Sequence, residues 1–526
     1  MKKSILCALM LSVSSASFAG GLLTNTNQSL WFLRNPARDG MIGIDGVYSN
    51  PAGVMFMNKG IHLSLNWQAA FQTREINTTF PYFALGAKNA GQQTKFFKGE
   101  AKAPVIPSIQ AAYNTDRWSF QFGFAVTGGG GKAEFANGLG SFESAVAGVA
   151  ATLKGSMDQI AAAGIPIKTI NGYDMDSYLQ GRQYYFGVTL GTAYKVNEHL
   201  SIYGGLRALI GSAGYKAKID NIQVVNNEGA KQDLLTYFGG VRQAVKGTAQ
   251  QIQQGIEQAV IKYAADYMAQ GMPEAQAIER AKAEPVVQGL VAKGQAVEGI
   301  ATQLQGQEAL LDQYANGVNL QSDQTGFGIA PIIGIDYKTG NFNFAAKYEF
   351  RTHMRLKNKS TVKEASLIEA VNKFKDGSYV EEDSPAYLTL GAMYEFLPGA
   401  RLSAGYHHFY DRQSAKYGQA EKLLKGGTNE YLGGVEVDVT KKLQASAGFQ
   451  ITKYGLTDAF MNDMSFVCDS WSFGLGVGYK VSDKVMVNAA YFQTNYDKYK
   501  TAVVDGLSNE FYRTNKVFGV GVDFSF

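Results

Sequence analysis

The chain has 526 residues, and its formal net charge of +4 indicates no nucleic-acid partner. Hydrophobic residues make up 45% of the sequence, yet no apolar run of about eighteen residues follows the N-terminal segment, which excludes helical membrane spans. The counts of 60 Gly, 29 Tyr and 31 Phe against 11 Pro are typical of a membrane β-barrel, in which aromatic side chains sit at the interfaces and glycines at crowded lumen positions.

The first nineteen residues have the pattern of a cleaved secretory signal. Two lysines precede an apolar run at residues 5–13 and a small-x-small exit, Ser17-Phe18-Ala19. We therefore predict a signal peptide at residues 1–19 and a mature start at Gly20. Its removal also removes Cys7 and leaves Cys468 alone, so no intramolecular disulfide can form.

Residues 20–58 have no strand alternation and are too long for a simple tail. The segment contains Asn35-Pro36-Ala37 and ends in Asn50-Pro51-Ala52-Gly53, immediately before the first amphipathic strand. We predict that residues 20–58 form a hatch that plugs the lumen of a barrel formed by residues 59–526. Pro51 is expected to fix the backbone of this hatch.

About fourteen segments of barrel-strand length follow, and in each of them apolar residues alternate with small or polar residues. In the last, Phe518, Val520, Val522, Phe524 and Phe526 alternate with Gly, Asp and Ser, so one face suits lipid and the other a lumen. The predicted strands are 60–72, 104–114, 117–127, 183–195, 199–213, 326–338, 341–357, 385–396, 400–412, 429–440, 442–454, 470–480, 484–496 and 514–526. The fold class is therefore an all-β transmembrane antiparallel barrel.

The predicted connections alternate between tight turns and long segments. Short inner turns opposite long outer loops are typical of outer-membrane barrels, so we place the long segments outside the cell. Two outer loops carry helical insertions, at about 136–180 and 220–320, because they are rich in Ala, Gln and Glu. In the second, an apolar stripe from Tyr237 to Tyr267 either buries against a neighbouring helix as a cap or stays open as a landing groove for an apolar ligand.

The hatch motif Asn50-Pro51-Ala52-Gly53 resembles that of the FadL/TodX (OmpP1) family of outer-membrane long-chain fatty acid and hydrocarbon transporters. Further similarities follow in order along the chain, at Val105-Ile106-Pro107-Ser108-Ile109, at Trp118–Phe124 running into Thr127-Gly128, and at Tyr215-Lys216-Ala217-Lys218-Ile219. The resemblance implies a monomeric fourteen-stranded barrel, a lumen blocked by the hatch, and a kinked third strand that leaves a lateral opening for the ligand.

Four glycines offer a physical basis for such a kink. Gly128, Gly129, Gly130 and Gly131 provide no side chains to pack and tolerate unusual dihedral angles, so strand pairing is expected to fail there. The alternative interpretation is that the glycines only begin a flexible outer loop.

A fatty acid needs a cation for its carboxylate, and strand parity predicts several cations facing the lumen. The candidates for ligand contact are Arg207, Arg351 and Arg355, with Lys347, Arg401, His353 and His407 as further lumen-facing groups. The family resemblance adds Lys216, whose facing is unclear from parity. Most lumen cations of a barrel pair with carboxylates, so each candidate also has a purely structural interpretation.

No motif indicates an enzyme, a metal site or a cofactor. His-Glu-x-x-His, Gly-x-Ser-x-Gly and Cys-x-x-Cys are absent, and Glu381-Glu382-Asp383 is better explained as a solvated loop than as a cation site. The sequence favours passive uptake of a hydrophobic molecule, most simply a long-chain fatty acid, across a Gram-negative outer membrane. We expect contact with outer-membrane lipids and insertion by the barrel-assembly machinery. A binding or adhesion barrel that uses the helical loops is the alternative, followed by an outer-membrane lipid-modifying enzyme.

Overall fold

The computed structural model describes Leu22 and residues 24–315, 317–363 and 372–526. The predicted signal segment, residues 1–19, lies outside the described residues. Within them, eighteen antiparallel strands form one continuous sheet, and pairing of the last strand with the first closes the sheet into a barrel.

Fourteen of these strands are long, and the other four are additions of two to six residues. The long strands are β1 (Gly60–Thr79), β2 (Thr94–Asn114), β3 (Trp118–Phe135), β4 (Ile170–Lys195), β5 (Leu200–Asn226), β7 (Val318–Thr339), β8 (Phe342–Glu349), β11 (Tyr387–Leu397), β12 (Ala400–Phe409), β13 (Thr428–Asp438), β14 (Leu443–Lys453), β15 (Ser470–Ser482), β16 (Val485–Tyr496) and β18 (Ser508–Ser525). The short strands are β6 (Lys231–Asp233), β9 (Arg355–Ser360), β10 (Tyr379–Glu381) and β17 (Tyr499–Lys500).

The predicted alternation of side chains is present, and the predicted barrel is confirmed. In β15, Trp471 is 52% exposed on the outer face, whereas its neighbour Ser472 is 1% exposed on the inner face. Leu65 and Trp67 of β1 point outward in the same way, while Ser64 is fully buried. The outer face of the wall is therefore apolar and the inner face polar, which is the reverse of a soluble barrel. A barrel surrounded by lipid requires this arrangement.

The connections alternate as predicted. Tight turns join the strands at one end, called the inner end here, and long segments join them at the other, the outer end. The tight turns lie at residues 115–117, 196–199, 340–341, 398–399, 439–442 and 483–484. Several strands are longer than predicted at the outer end only: β1 continues to Thr79, β4 begins at Ile170 and β5 continues to Asn226.

The predicted helical insertions are also confirmed. The helices are α1 (Leu30–Arg34), α2 (Gly140–Ala162), α3 (Leu234–Ala269), α4 (Glu274–Lys282) and α5 (Pro285–Ala315). The break at Gly271-Met272-Pro273 separates α3 from α4, as proline geometry predicts. Among the described helices, none combines the length and the apolar character that a membrane span needs.

The predicted seventh strand differs from the observed structure. Pairing of β8 stops at Glu349, residues 350–354 form no regular ladder, and β9 begins at Arg355. Glu349 is buried, but beyond it Thr352, Met354 and Leu356 are the buried residues, so the inward side has shifted by one position. A one-residue shift reverses the facing of every later side chain.

The interior of the barrel has two halves of different chemistry. Near the inner end, the buried wall residues are polar, as with Asn66, Asp336 and Asn488. Near the outer end, α2 and the outer loops close over a large apolar cluster that fills the lumen. That cluster includes Ile76, Phe83, Phe97, Phe135, Phe142, Met157, Tyr185, Phe374, Phe466 and Phe511.

Candidate functional site

Residues 24–58, called the luminal segment, lie inside the inner half of the barrel. Helix α1 begins where Ser29 caps it by accepting from the Phe32 amide, and it contacts β15, β16 and β18. From α1, Arg34 donates to Asn488 Oδ1 and Gln444 Oε1, each at 2.6 Å, and to Ser446 Oγ at 2.8 Å. The segment is therefore held by the polar wall and fills the lumen there.

Charged groups strengthen this attachment at the neighbouring strands β12 and β13. Arg38 donates two hydrogen bonds to Asp45, at 2.8 and 3.0 Å, within the luminal segment. His407 of β12 lies between Asp39 of the luminal segment, at 2.8 Å, and Glu430 of the neighbouring strand, at 2.7 Å. All these side chains are at least nine-tenths buried, so breaking one pair would leave a buried charge without its partner.

Both Asn-Pro-Ala copies are anchored to the barrel wall. Asn50 donates to Asp336 Oδ2 at 2.6 Å, while the carbonyl of Pro51 accepts from Gln121 Nε2 at 2.7 Å. Asn35 donates to Ser403 Oγ at 3.0 Å. The carbonyl of Ala52 accepts from Ser201 at 2.6 Å, and the amide of Gly53 donates to the side chain of Asn50.

Strand pairing fails beside the glycine run, as predicted. The β2–β3 ladder stops at Lys102–Lys132 and resumes at Ser108–Ala125, which leaves residues 103–107 and 126–131 unpaired with each other. Prolines contribute on the β2 side, because Pro104 and Pro107 have no amide hydrogen to donate. We call this interruption the β3 gap.

Two of the four glycines have backbone conformations that other residues rarely adopt. Gly129 has φ +68° and Gly131 has φ +114°. A Cβ on Gly129 would lie 2.3 Å from the carbonyl oxygen of Gln183, so the backbones of β3 and β4 approach too closely there for a side chain.

The first residues of the luminal segment reach the gap. Thr24 forms a β-bridge with Gly128, and Asn25 donates from its backbone amide to Thr127 O at 2.8 Å and from Nδ2 to Gly129 O at 2.7 Å. No local sequence pattern indicates this contact, because it depends on where the chain enters the barrel.

The β3 gap is lined by apolar side chains. Ala103, Ile106 and Val126 from its two edges pack in one cluster with Leu30 and Phe32 of the luminal segment. The same cluster includes partly buried Tyr184 and Phe186 of β4. Apolar surface therefore surrounds the place where the wall is interrupted.

Of the four predicted ligand cations, Arg207 is buried in the lumen. Arg207 is 2% exposed, lies 3.0 Å from Glu349 Oε2 and places its guanidinium 5.0 Å from the ring centre of Tyr48. Arg351 lies at the outer end beyond β8, where it donates to the carbonyl of Gln413. The ion pair with Glu349 already neutralises the charge of Arg207.

The prediction that Arg355 faces the lumen is wrong, and Lys216, whose facing strand parity left open, points outward. Arg355 is exposed on the outer wall because of the parity shift after Glu349. Lys216 is exposed because odd-numbered residues of β5 face inward without interruption, from Ser201 to Ile219.

Sequence analysis missed a buried pair of arginines near the outer end. Arg74 of β1 and Arg513 of β18 are opposite each other in the ladder and are 3% and 1% exposed. Arg74 donates from Nε to Gln72 Oε1 at 3.1 Å, and in the described part of the chain no carboxylate forms an ion pair with it. The thiol of nearby Cys468 supplies no counter-charge, because burial raises its pKa to about 12.

Several polar atoms around Arg74 lack hydrogen-bond partners. They are Arg74 Nη2, Gln72 Nε2 and the two amide atoms of Asn515, all buried. Leaving such groups unsatisfied is costly, and a cation directly opposite a cation adds to the cost. Arg74 Nη2, Gln72 Nε2 and Asn515 Nδ2 are three donors at an uncompensated cation, an arrangement suited to an anion such as a carboxylate.

Other ligand chemistry is not indicated. Glu382 pairs with Lys416 at 2.6 Å, and Asp383 accepts from the amide of Met354, so these carboxylates are engaged within the protein. Across the described residues, no three His, Cys, Asp or Glu side chains are grouped as metal ligands.

The described residues thus form a closed barrel of fourteen long strands, with an N-terminal segment in its lumen and an interrupted third strand. No protein-family model and no curated protein matches the sequence. Among solved structures, the chain is similar to a FadL homologue of Pseudomonas aeruginosa, with 12% identity, 96% of this chain and 100% of that chain covered, and a TM-score of 0.55.

Two structures of a monoaromatic hydrocarbon channel are similar as well. The toluene transporter TodX of Pseudomonas putida is 13% identical, with 96% and 100% coverage and a TM-score of 0.50, and the TodX deltaS2S3 mutant is 13% identical, with 95% and 99% coverage and a TM-score of 0.52. At this identity the likeness establishes the fold. The chain therefore has the FadL/TodX barrel fold, as the sequence resemblance implied.

Proposed function

We propose that this protein resides in a Gram-negative outer membrane and takes up hydrophobic molecules passively, without an energy source. The outward apolar wall supports the location, and the fold shared with a toluene transporter and a FadL homologue supports the activity. In this proposal the luminal segment is a hatch that blocks the polar inner half of the lumen. A ligand then leaves sideways, through the β3 gap.

The observation that carries the proposal is the β3 gap itself. An interruption of the ladder beside Gly128–Gly131 is lined by Ala103, Ile106 and Val126, and it is bridged by only a few contacts from Thr24 and Asn25. The apolar cluster at the outer end lies above it, so an apolar ligand would follow apolar surface from the outer lumen to the membrane. Each methylene so transferred contributes about 0.8 kcal/mol.

The arginine site favours an amphiphile over a pure hydrocarbon. A carboxylate at Arg74 would neutralise the buried charge and satisfy Arg74 Nη2 and Gln72 Nε2. The alkyl tail would lie against Phe466 and Phe511, which belong to the apolar cluster. We therefore propose a long-chain fatty acid as the ligand, with Arg74 in the place first assigned to Arg207, Lys216, Arg351 and Arg355.

The helical loops supply a surface for the first capture of the ligand. The apolar stripe of α3 is buried at Tyr237 and Val241, close to the barrel, but only half-buried farther along. There Ile256, Val260 and Val287 line a groove between α3 and α5 with a volume of about 560 Å³. The buried part of the stripe supports the cap interpretation, and we propose the groove as the landing site for the ligand.

The proposal is tested by restoring the side chains that the gap lacks. We expect Gly128→Val with Gly130→Val to reduce accumulation of labelled oleate inside cells, because β-branched residues favour a continuous ladder. Binding of oleate by whole cells should persist. Gly129 and Gly131 are left unchanged, because their positive φ angles would strain any other residue.

Gly204→Val in β5 is the matched control. A Cβ there meets no other atom within 4 Å, and Gly204 lies in an uninterrupted ladder. Both variants should assemble, as judged by heat-modifiable gel mobility. Binding and accumulation at the unmodified level in the gap variant would contradict lateral exit.

A further inference from the structure

Four cations cluster on the outer wall of the barrel. Lys216 of β5 and Arg355, Lys357 and Lys359 of β9 are all exposed. The strand between them, β7, brings the two sides together: Lys216 is opposite Gln321, Lys357 is opposite Thr325 and Lys359 is opposite Asp323. We call these four residues the basic patch.

The basic patch is not neutralised by carboxylates in the described part of the chain. Asp323 accepts from Arg182 at 2.7 Å, Asp220 pairs with Lys218, and Asp376 lies 2.9 Å from Lys363, so these three nearby aspartates are already engaged. Glu381 is opposite Arg355 in the β9–β10 ladder. Four positive charges and one negative charge leave a net charge of +3 on this surface.

Outward lysines on another part of the wall show the opposite arrangement. On β2, Lys98 and Lys102 both lie 3.2 Å from Glu100, and on β3, Lys132 lies 2.9 Å from Glu134. Those cations are compensated within the protein. The basic patch therefore differs in its lack of counter-charges rather than in the number of its cations.

The basic patch lies immediately beyond the apolar surface of the same strands. Ile210 of β5 and Phe327 of β7 are 50% and 59% exposed on the outer face. Phe327 is two residues from Thr325, the neighbour of Lys357, so Lys357 lies about 7 Å above Phe327, and Lys359 and Lys216 lie farther out. Anionic head groups lie at this distance from acyl chains that contact an apolar wall.

We propose that the basic patch binds the phosphate groups of an outer-leaflet lipid, namely a phosphorylated glycolipid of the lipid A type. The acyl chains of that lipid contact Ile210 and Phe327, while Lys216, Lys357 and Lys359 contact its phosphates. This inference rests on the membrane placement in the proposed function, but not on the identity of any transported ligand.

The test uses the full-length protein purified in a mild detergent and lipid A that carries two phosphates. The variant is Lys216→Gln, Lys357→Gln and Lys359→Gln combined, and the matched control is Lys98→Gln, Lys102→Gln and Lys132→Gln combined. Native mass spectrometry gives the affinity of each for lipid A. Both triple variants change only exposed side chains, so we expect both to assemble. Heat-modifiable gel mobility checks that each barrel has assembled.

We expect the patch variant to bind lipid A at least about tenfold more weakly than the unmodified protein, with the control unchanged. Lipid A without phosphates should bind all three proteins equally weakly, and millimolar inorganic phosphate should not displace intact lipid A. Equal affinity of the patch variant and the control would overturn the proposal, as would equally tight binding of dephosphorylated lipid A or displacement by inorganic phosphate. The lipid A assay contains no transported ligand, so its result does not depend on whether cells take up oleate. Cell fractionation tests the proposed outer-membrane location separately.

Discussion

Replacement of Arg74 by glutamine should have opposite effects on stability and on ligand affinity. In the ligand-free protein Arg74 is opposite Arg513, with Cβ atoms about 5 Å apart by ladder geometry. Like unit charges about 5 to 10 Å apart repel by about 2 to 3 kcal/mol at an effective dielectric constant of about 20. Arg74→Gln removes this repulsion, so we expect the unfolding temperature to stay constant or to rise.

The same change removes the cation proposed to meet the carboxylate. A hydrogen bond to a charged group contributes about 2 kcal/mol, so affinity for oleate should fall about 30-fold. Affinity for oleyl alcohol, which has no carboxylate, should change little. Calorimetric titration of both ligands in mild detergent measures the difference.

Arg207→Gln is the matched control for this experiment. Arg207 pairs with Glu349 at 3.0 Å, so its loss leaves a buried carboxylate without its cation and should lower stability by about 3 kcal/mol. Temperature-dependent gel mobility compares the two variants. If Arg74→Gln destabilises the barrel as Arg207→Gln does and leaves oleate affinity unchanged, Arg74 is a structural residue and the assignment of an anion site is wrong.

Two further changes test how the luminal segment is held. His407→Phe should lower stability by about 3 kcal/mol and increase protease cleavage of the luminal segment, because it leaves Glu430 and a luminal carboxylate buried without their shared partner. Asn50→Ala removes the 2.6 Å hydrogen bond to Asp336 and should impair oleate uptake in a fully assembled barrel, with Asn35→Ala tested in parallel; normal uptake in both variants would argue against gating by either motif.

The barrel could be predicted from sequence because its physical signal repeats along the chain. Alternation of apolar and polar residues identifies strands wherever one face contacts lipid, as at Trp471 and Ser472 in β15. The helical insertions were equally accessible, since alanine- and glutamine-rich stretches have high helix propensity. The glycine run marked the β3 gap because it lacks the side chains that favour pairing.

The site was less accessible, for reasons visible in particular residues. Arg74 and Arg513 fall just outside the predicted strands 60–72 and 514–526, where the barrel extends beyond lipid and its outer face needs no apolar residues. Arg355 was misplaced by an irregular segment that shifts the parity by one residue. Contact between Asn25 and the gap joins residues about a hundred positions apart and leaves no local pattern.

The central claim, that the ligand leaves through the β3 gap, is tested most directly by a photoreactive fatty acid with a diazirine near its methyl end. After uptake and irradiation, mass spectrometry identifies the labelled residues. The account predicts labels at Ala103, Ile106 and Val126, around the gap. Gln444 and Asn488 contact the luminal segment in the polar inner half of the barrel. If these residues are labelled and the gap residues are not, the ligand passes straight through the barrel and the account is wrong.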